Sequence, residues 1–201
     1  MGYAADHKQT TRKRIIERAA RLFRRYGYQG VGIDDIMAAA GLTRGGFYAH
    51  FKSKQDLFAA ALSSELELAA RLDGRAGAGR SRDAQPAKVL ADFYLDPGTR
   101  TQALARCPLV SLSTDVARVG AEASAAYTAT VRALLAEIER RVANGGADAR
   151  GRALAALALC VGGAVLAQAV DDESLAGALL AACRERTAVE LEHGRAPHRG
   201  A

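Results

Sequence analysis

The segment from Gly41 to Lys54 holds the side chains whose types and spacing could do the most specific chemistry in this chain. Basic, hydroxyl and aromatic residues alternate there with glycines, and this mixture suits contact with DNA. Gly41 ends the apolar helical pattern of residues 33–40, and Thr43 then offers a side-chain oxygen to the unpaired N–H groups of a new short helix. The spacing predicts two helices joined by a tight turn, which is the arrangement of a helix-turn-helix.

The short helix after the turn is predicted to have two chemically different faces. Phe47 and Phe51 are four residues apart and would share an inward face that anchors the helix to a core. Arg44, Gly45 and Tyr48 share the opposite face. The helix is therefore expected to have one anchoring side and one side that is free to contact a nucleic acid.

Helices before and after this motif are expected to position it. Residues 10–27 carry a broad apolar stripe at helical spacing, with Gly27 as the stop. After the motif, Ser53 and Asp56 have the spacing of an N-terminal cap, and the helix that they begin is predicted to run to about Leu72. Its length suits a connector between two domains.

Several stretches of the first 70 residues resemble the amino-terminal domain of the TetR family of transcriptional regulators. The resemblance covers roughly residues 8–70 and is carried by these segments: Phe23-Arg-Arg-Tyr-Gly-Tyr, Ile33-Asp-Asp-Ile, Ala40-Gly-Leu-Thr-Arg-Gly-Gly-Phe-Tyr-Ala-His-Phe and Lys52-Ser-Lys-Gln-Asp-Leu-Phe. The remainder of the chain resembles the family only in its length and its helical layout.

An all-α fold is predicted, because no strand-like alternation or hairpin signal occurs in the sequence. The resemblance implies a three-helix helix-turn-helix domain at residues 8–56 and a connecting helix to about residue 72. It further implies a helical bundle over residues 73–201 that binds an effector and dimerises. The patterns in that part predict a loop and then helices over these ranges: loop 73–85, helices 86–95, 98–106, one starting at Pro108, 124–144, 148–171 and 174–192.

The resemblance also implies which residues contact DNA. Arg44 would reach base edges in the major groove, and Gly45 and Gly46 would let the backbone approach the DNA closely. Side chains that would donate to or attract phosphates are Thr43, Tyr48, His50 and Lys54. Gly32 stands where relatives often have Ser or Thr, so at that position only a backbone N–H could contact a phosphate.

The basic excess of the chain lies in its first part. Residues 1–56 carry 11 Lys or Arg against five Asp or Glu, whereas the rest of the chain carries 17 against 17. A solvated surface could account for such an excess by itself. Its coincidence with the helix-turn-helix favours contact with a polyanion.

Two further surfaces are assigned from residue type and from the family layout. An effector pocket, for a small molecule of unknown identity, would draw on Phe93, Tyr94, Cys107, Leu109, Asp115, Tyr127 and Cys160. A homodimer interface on the last two helices would draw on Leu154, Leu157, Val161, Val165, Leu175, Leu179 and Ala182. Packing within the chain is the alternative for any of these residues.

Cys107 is a candidate for a reactive thiol. Arg106 precedes it and Pro108 begins a helix after it, and both features favour a thiolate, which could be modified by an electrophile or an oxidant. The alternative is that Cys107 is a small hydrophobic residue in the core.

Other classes of function find little support in the sequence. The amino terminus carries no apolar signal segment, which predicts a cytoplasmic protein, and the apolar run 153–170 is rich in Ala and better explained by a buried helix than by a membrane span. Three cysteines at 107, 160 and 183 have no metal-ligand spacing. No cofactor, metal or catalytic group is expected.

The favoured interpretation is a ligand-responsive DNA-binding regulator that acts as a repressor. It would bind a palindromic operator in double-stranded DNA as a homodimer. A small-molecule or electrophile effector would release it. The alternative is a helical small-molecule-binding protein or enzyme that retains an amino-terminal helix-turn-helix.

Overall fold

The computed structural model describes residues 2–64, 86–99, 107–140, 142 and 148–192. All regular elements formed by these residues are helical, which confirms the predicted all-α fold. In chain order they are α1 Gly2–Tyr26, α2 Ile33–Ala39, the 3₁₀ helix Arg44–Ala49 (the short helix), α3 Lys54–Ser63, α4 Pro86–Tyr94, the 3₁₀ helix Pro97–Thr99, α5 Pro108–Ser111, α6 Ser113–Val119, α7 Ala121–Glu139, α8 Ala149–Ala169 and α9 Glu173–Glu192.

The helices form two compact units. The amino-terminal unit contains the described residues of 1–65 and 105–130, and the carboxy-terminal unit contains those of 66–104 and 131–201. Contact therefore groups α5, α6 and the first half of α7 with the helix-turn-helix, although they follow it by some 50 residues in the chain. The domain boundaries 8–56 and 73–201 describe chain order and stay a prediction.

The amino-terminal unit is built on α1, whose apolar stripe faces inward as predicted. Ile15, Ala19 and Phe23 are buried on that stripe, and the ring of Phe23 packs edge-on to Phe58 of α3 with 5.0 Å between centroids. The helix begins earlier than predicted, at Gly2, and it ends before Gly27, which has a positive φ of 72°. A left-handed glycine ends the helix because it has no Cβ to strain.

The segment after Pro108 completes the core of this unit. Pro108 opens α5 at its first turn, as predicted. The helix predicted to start at Pro108 is divided at Leu112 into α5 and α6, and Val116 of α6 is buried in the same core as α1, α2 and α3. Gly120 separates α6 from α7 with a φ of 134°, so that α7 starts at Ala121 rather than at the predicted residue 124.

The carboxy-terminal unit contains the packed pair α8 and α9, with α4 against both. At Gly163 the two long helices approach so closely that a Cβ there would lie 2.8 Å from the Sγ atom of Cys183. Among the described helices, α8 is the one whose length and mean hydropathy of 1.7 would suit a membrane span. Several of its residues are buried within the chain, which favours the packing role expected from the sequence: Ala153, Ala156, Leu157, Cys160, Gly163, Ala164 and Ala167.

Some predicted features fall outside the described residues. They are the loop 73–85, the continuation of α3 to about residue 72, residues 100–106 of the predicted helix 98–106, and the helix end at Gly145-Gly146. Of the predicted helix 98–106, only residues 98 and 99 are described, and they lie in the 3₁₀ turn Pro97–Thr99.

Candidate nucleic-acid interface

The turn between α2 and the short helix is set by Gly41. This residue has a φ of 70°, its N–H donates to the Ala38 carbonyl at 2.9 Å, and the Leu42 N–H donates to the Met37 carbonyl at 2.9 Å. These two bonds form the Schellman motif, which satisfies carbonyls at the end of α2 and reverses the chain. The predicted helix stop at Gly41 is confirmed, and it sets the direction in which the short helix leaves α2.

The short helix presents the two faces that the sequence predicts. Phe47 and the following Phe51 are buried, whereas Arg44, Gly45 and Tyr48 are exposed. The Phe47 and Phe51 rings lie 5.8 Å apart and fix the inward face. The element is a 3₁₀ helix and not an α-helix, in keeping with two consecutive glycines that weaken α-helix propagation.

Thr43 does not cap the short helix as predicted. It occupies the N-cap position with extended dihedrals, but its side chain makes no capping hydrogen bond. The first turn is instead closed by the backbone, because the Gly46 N–H donates to the Thr43 carbonyl at 3.1 Å. The exposed Thr43 hydroxyl is thus not used by the cap.

Gly32 lies at the N-cap of α2, and its N–H is already engaged. It donates to Oδ2 of Asp35 at 2.7 Å, three residues further on. The sequence suggested this N–H as a phosphate contact, but a phosphate would first have to displace the Asp35 carboxylate. The bond instead stabilises the start of α2, because it satisfies a donor at the N-cap.

Arg44 has an ion-pair partner that the sequence did not suggest. Its Nη1 atom lies 2.6 Å from Oδ2 of Asp34 in α2, and the two side chains are 62% and 63% exposed. The pair crosses the turn of the helix-turn-helix and places a carboxylate beside the side chain expected to contact bases.

Lys54 starts α3 next to the aromatic cluster. Ser53 caps this helix as predicted, since its side-chain oxygen accepts from the Asp56 N–H at 3.0 Å. The Lys54 ammonium lies 4.2 Å from the centre of the Tyr28 ring, a cation–π distance. Burial lowers the pKa of Lys54, and the carboxylates of Asp115 and Asp35 act in the opposite direction.

His50 follows the short helix and lies near two cations of α1. Burial is the main cause that lowers the pKa of His50, and the positive charges of Lys8 and Arg12 lower it further. Its Nδ1 atom is buried and has no hydrogen-bond partner among the described residues. Arg12 also lies over the Phe51 ring at 4.6 Å. Sequence reasoning missed Lys8 and Arg12, whose four-residue spacing on α1 was the available signal.

The seven residues proposed for an effector pocket are divided between the two compact units. The amino-terminal unit holds Cys107, Leu109, Asp115 and Tyr127 and the carboxy-terminal unit holds Phe93, Tyr94 and Cys160. Two of them have hydrogen-bond partners within the amino-terminal unit. Asp115 accepts from the Tyr28 N–H at 3.1 Å, and the Tyr127 hydroxyl donates to the Leu109 carbonyl at 3.1 Å.

The cysteines are in different environments. Cys107 is buried at the N-cap of α5, and Arg106, which also motivated its assignment, lies outside the described residues. Burial raises the pKa of Cys160 to about 12. Burial also raises the pKa of Cys183. In the described part of the chain, no group of three or more His, Cys, Asp or Glu residues could hold a metal ion.

The residues proposed for a dimer interface are mostly accessible. Leu154 and Leu175 are 45% and 47% exposed, and Val165 is exposed as well. Leu157 is only 7% exposed, which places it in the core of its own chain and makes its assignment to a dimer surface wrong. Leu166 is exposed on the same helix and was not predicted. The remaining predicted residues are half-buried or exposed: Val161, Leu179 and Ala182.

Comparison with known proteins identifies the amino-terminal part most strongly. The family model for bacterial regulatory proteins of the tetR family matches residues 15–61. The HTH-type transcriptional regulator AcrR of Shigella flexneri is 48% identical over 50 residues, which are 25% of this chain and 23% of that protein. An HTH-type transcriptional repressor of Mycobacterium tuberculosis is 33% identical over 72 residues, 36% of this chain and 38% of that protein.

The likeness in structure extends over nearly the whole chain. A TetR transcriptional regulator from Chloroflexus aurantiacus superposes with a TM-score of 0.68 at 25% identity, covering 93% of this chain and 98% of that one. The chain spans only 23% and 38% of the length of the two curated relatives named above. Residues 15–61 therefore form a domain that matches bacterial regulatory proteins of the tetR family, and the chain as a whole has the fold of the TetR regulator from Chloroflexus aurantiacus.

Proposed function

We propose that this chain is a transcriptional regulator that binds a near-palindromic operator as a homodimer and acts as a repressor. The observation that carries the proposal is the exposed face of the short helix, where Arg44 and Tyr48 are accessible while Phe47 anchors the opposite face. An arginine presented in this way can enter the major groove and donate two hydrogen bonds to O6 and N7 of guanine.

The charge distribution supports a polyanionic partner for the same part of the chain. Residues 1–56 carry 11 Lys or Arg against five Asp or Glu. Within the short helix and on either side of it in the chain lie groups that can donate to phosphates or attract them: Thr43, Tyr48, His50 and Lys54. Such contacts hold the protein in register on the duplex and leave sequence discrimination to Arg44.

The exposed apolar residues of α8 and α9 support the homodimer. Leu154, Val165 and Leu175 are accessible in one chain, and a second copy packed on this face would bury them. A two-fold dimer would present two copies of the short helix to half-sites about one helical turn apart. The operator is therefore expected to be close to an inverted repeat.

Regulation would come from an effector that favours one arrangement of the dimer. We propose that a small molecule or an electrophile binds in the helical bundle of residues 73–201. It would lower operator affinity by shifting the dimer towards an arrangement that does not fit the operator. The protein would act in the cytoplasm, where it meets double-stranded DNA. Direct modification of Cys107 is one form of this proposal.

The test is selection of bound duplexes from a library with a randomised central region, followed by binding titrations on the enriched sequence and on a scrambled duplex. Arg44→Ala should lower affinity for the enriched duplex by about 1 to 3 kcal/mol and change binding to the scrambled duplex little. Lys54→Ala is the matched control, because loss of a phosphate contact should weaken binding to both duplexes alike.

Salt dependence gives a second readout of the same complex. The logarithm of affinity should fall against the logarithm of salt concentration with a slope of about 0.9 per phosphate contacted. A chain that enriches no sequence, or whose binding is flat between low and physiological salt, would not be a DNA-binding regulator. Equal losses on both duplexes for Arg44→Ala would assign Arg44 to the phosphate contacts.

A further inference from the structure

The ion pair between Asp34 and Arg44 places a negative charge beside the arginine that is proposed to contact bases. The Arg44 Nη1 atom lies 2.6 Å from Asp34 Oδ2, and both side chains are more than half exposed. The neighbouring Asp35 accepts the Gly32 N–H and thereby caps α2. Asp34 lies in the first turn of α2, and its carboxylate pairs with Arg44 across the turn.

A carboxylate in this position restricts what the guanidinium can do. Arginine carries five N–H donors in a planar fork, and a bidentate contact uses two of them along one edge. With Nη1 of Arg44 held by Asp34, the edge formed by Nε and Nη2 is left for a second partner. The carboxylate thus selects the edge and the orientation with which Arg44 meets a base.

The same charge changes the balance between phosphates and bases. A phosphate near Arg44 would also lie near Asp34 and be repelled by it, whereas a guanine edge carries no net charge. A lysine or arginine without such a neighbour binds the backbone of any sequence. The ion pair should therefore weaken sequence-independent binding more than it weakens contact with the correct base.

We propose that Asp34 is a specificity-determining residue, which orients Arg44 for base contact and keeps its guanidinium from binding phosphates. The inference rests on the proposed DNA-binding function, and it adds a residue of α2 to the determinants of sequence recognition. Asp34 acts through Arg44 and is a positioning residue, not itself a base contact.

The test compares Asp34→Asn with the parent in the duplex selection and in titrations on enriched and scrambled duplexes. The substitution keeps the shape of the side chain and removes its charge. Affinity for the scrambled duplex should rise about twofold to fivefold, which is the range of an exposed ion pair, and base preference at the positions read by Arg44 should weaken. The ratio of the two affinities should fall by a similar factor.

Glu17→Gln is the matched control, since Glu17 is an exposed carboxylate of α1 and its loss changes net charge equally. It should raise affinity for both duplexes alike and leave base preference unchanged. The double variant Asp34→Asn with Arg44→Ala completes a cycle. In that background the removal of the Asp34 charge should no longer change discrimination, because the side chain that it orients is missing.

The outcomes separate this inference from the proposed function. If the parent enriches a sequence and Asp34→Asn keeps the full base preference and affinity ratio, the role of Asp34 is overturned while DNA binding stands. An equal effect of Glu17→Gln, or a change in discrimination that persists without Arg44, would also overturn it. A parent that enriches no sequence would overturn the proposed function itself.

Discussion

DNA binding should change the charge state of His50. In the free protein its pKa is lowered below its ordinary value of 6.5, first by burial and then by the charges of Lys8 and Arg12. A phosphate beside the ring would stabilise the imidazolium and raise the pKa in the complex. Binding would therefore take up protons, and affinity should increase as pH falls through the interval between the two pKa values.

The measurement is duplex affinity between about pH 7.5 and 5.5 at constant ionic strength, an interval that brackets the ordinary pKa of histidine. Each linked proton contributes at most about tenfold in affinity per pH unit. His50→Gln should remove this part of the pH dependence, whereas His7→Gln, at an exposed position of α1, should keep it. An identical slope in the parent and in His50→Gln would contradict a phosphate contact at His50.

Cys107 is the thiol for which we predict modification by an electrophile. Burial raises the pKa values of Cys160 and Cys183, which disfavours the reactive thiolate at both positions. Cys107 is buried at the N-cap of α5, and the amino-terminal end of a helix favours a negative charge. Addition of its sulfur to a maleimide would place extra volume in the core of the amino-terminal unit.

The experiment is release of the enriched duplex by N-ethylmaleimide. Cys107→Ser should resist release, and the matched variants Cys160→Ser and Cys183→Ser should be released like the parent. If Cys107→Ser is released as readily as the parent, Cys107 is a packing residue and the effector binds without a covalent bond.

The turn of the helix-turn-helix depends on the conformation of Gly41. Its φ of 70° is strained for any residue with a Cβ, although a Cβ there would meet no atom within 4 Å. Gly41→Ala should therefore lower the free energy of unfolding by about 1 to 2 kcal/mol through backbone strain alone. Denaturant unfolding followed by circular dichroism measures this change.

Gly45→Ala supplies the control for that substitution. A Cβ at Gly45 also meets no atom within 4 Å, and its backbone does not have a positive φ in the structure. Alanine there should leave stability unchanged or raise it slightly, because it restricts the unfolded chain. Equal destabilisation by both substitutions would show that the turn does not depend on the left-handed conformation.

Dimerisation through α8 and α9 should depend on their exposed leucines. Leu175→Glu places a charge where a second copy is proposed to pack, so the mass in solution should fall from that of a dimer to that of a monomer. Tyr26→Glu makes a comparable change at an exposed aromatic residue of α1 and should leave the dimer intact. Sedimentation equilibrium distinguishes the two masses. A dimer that persists in Leu175→Glu would place the interface elsewhere.

Local sequence determined much of the amino-terminal unit. The stripe containing Ile15 and Ala19 predicted α1, Gly41 predicted the end of α2, and Ser53 predicted the start of α3. These features depend on helical periodicity and on hydrogen bonds between residues a few positions apart. The two faces of the short helix were predictable for the same reason, because the spacing of Phe47 and Phe51 sets both.

The contacts between residues that are distant in the chain, or that lie on different helices, depend on tertiary packing and could not be read from local patterns. Tertiary packing grouped α6 with the helix-turn-helix core, since burial of Val116 depends on the path of the chain and not on its own pattern. It placed Leu157 inside its own chain, because neighbouring positions on one apolar helix can face either a core or a partner. It also paired Asp34 with Arg44, ten residues apart across a turn, where the direction of the turn sets the distance between two charges.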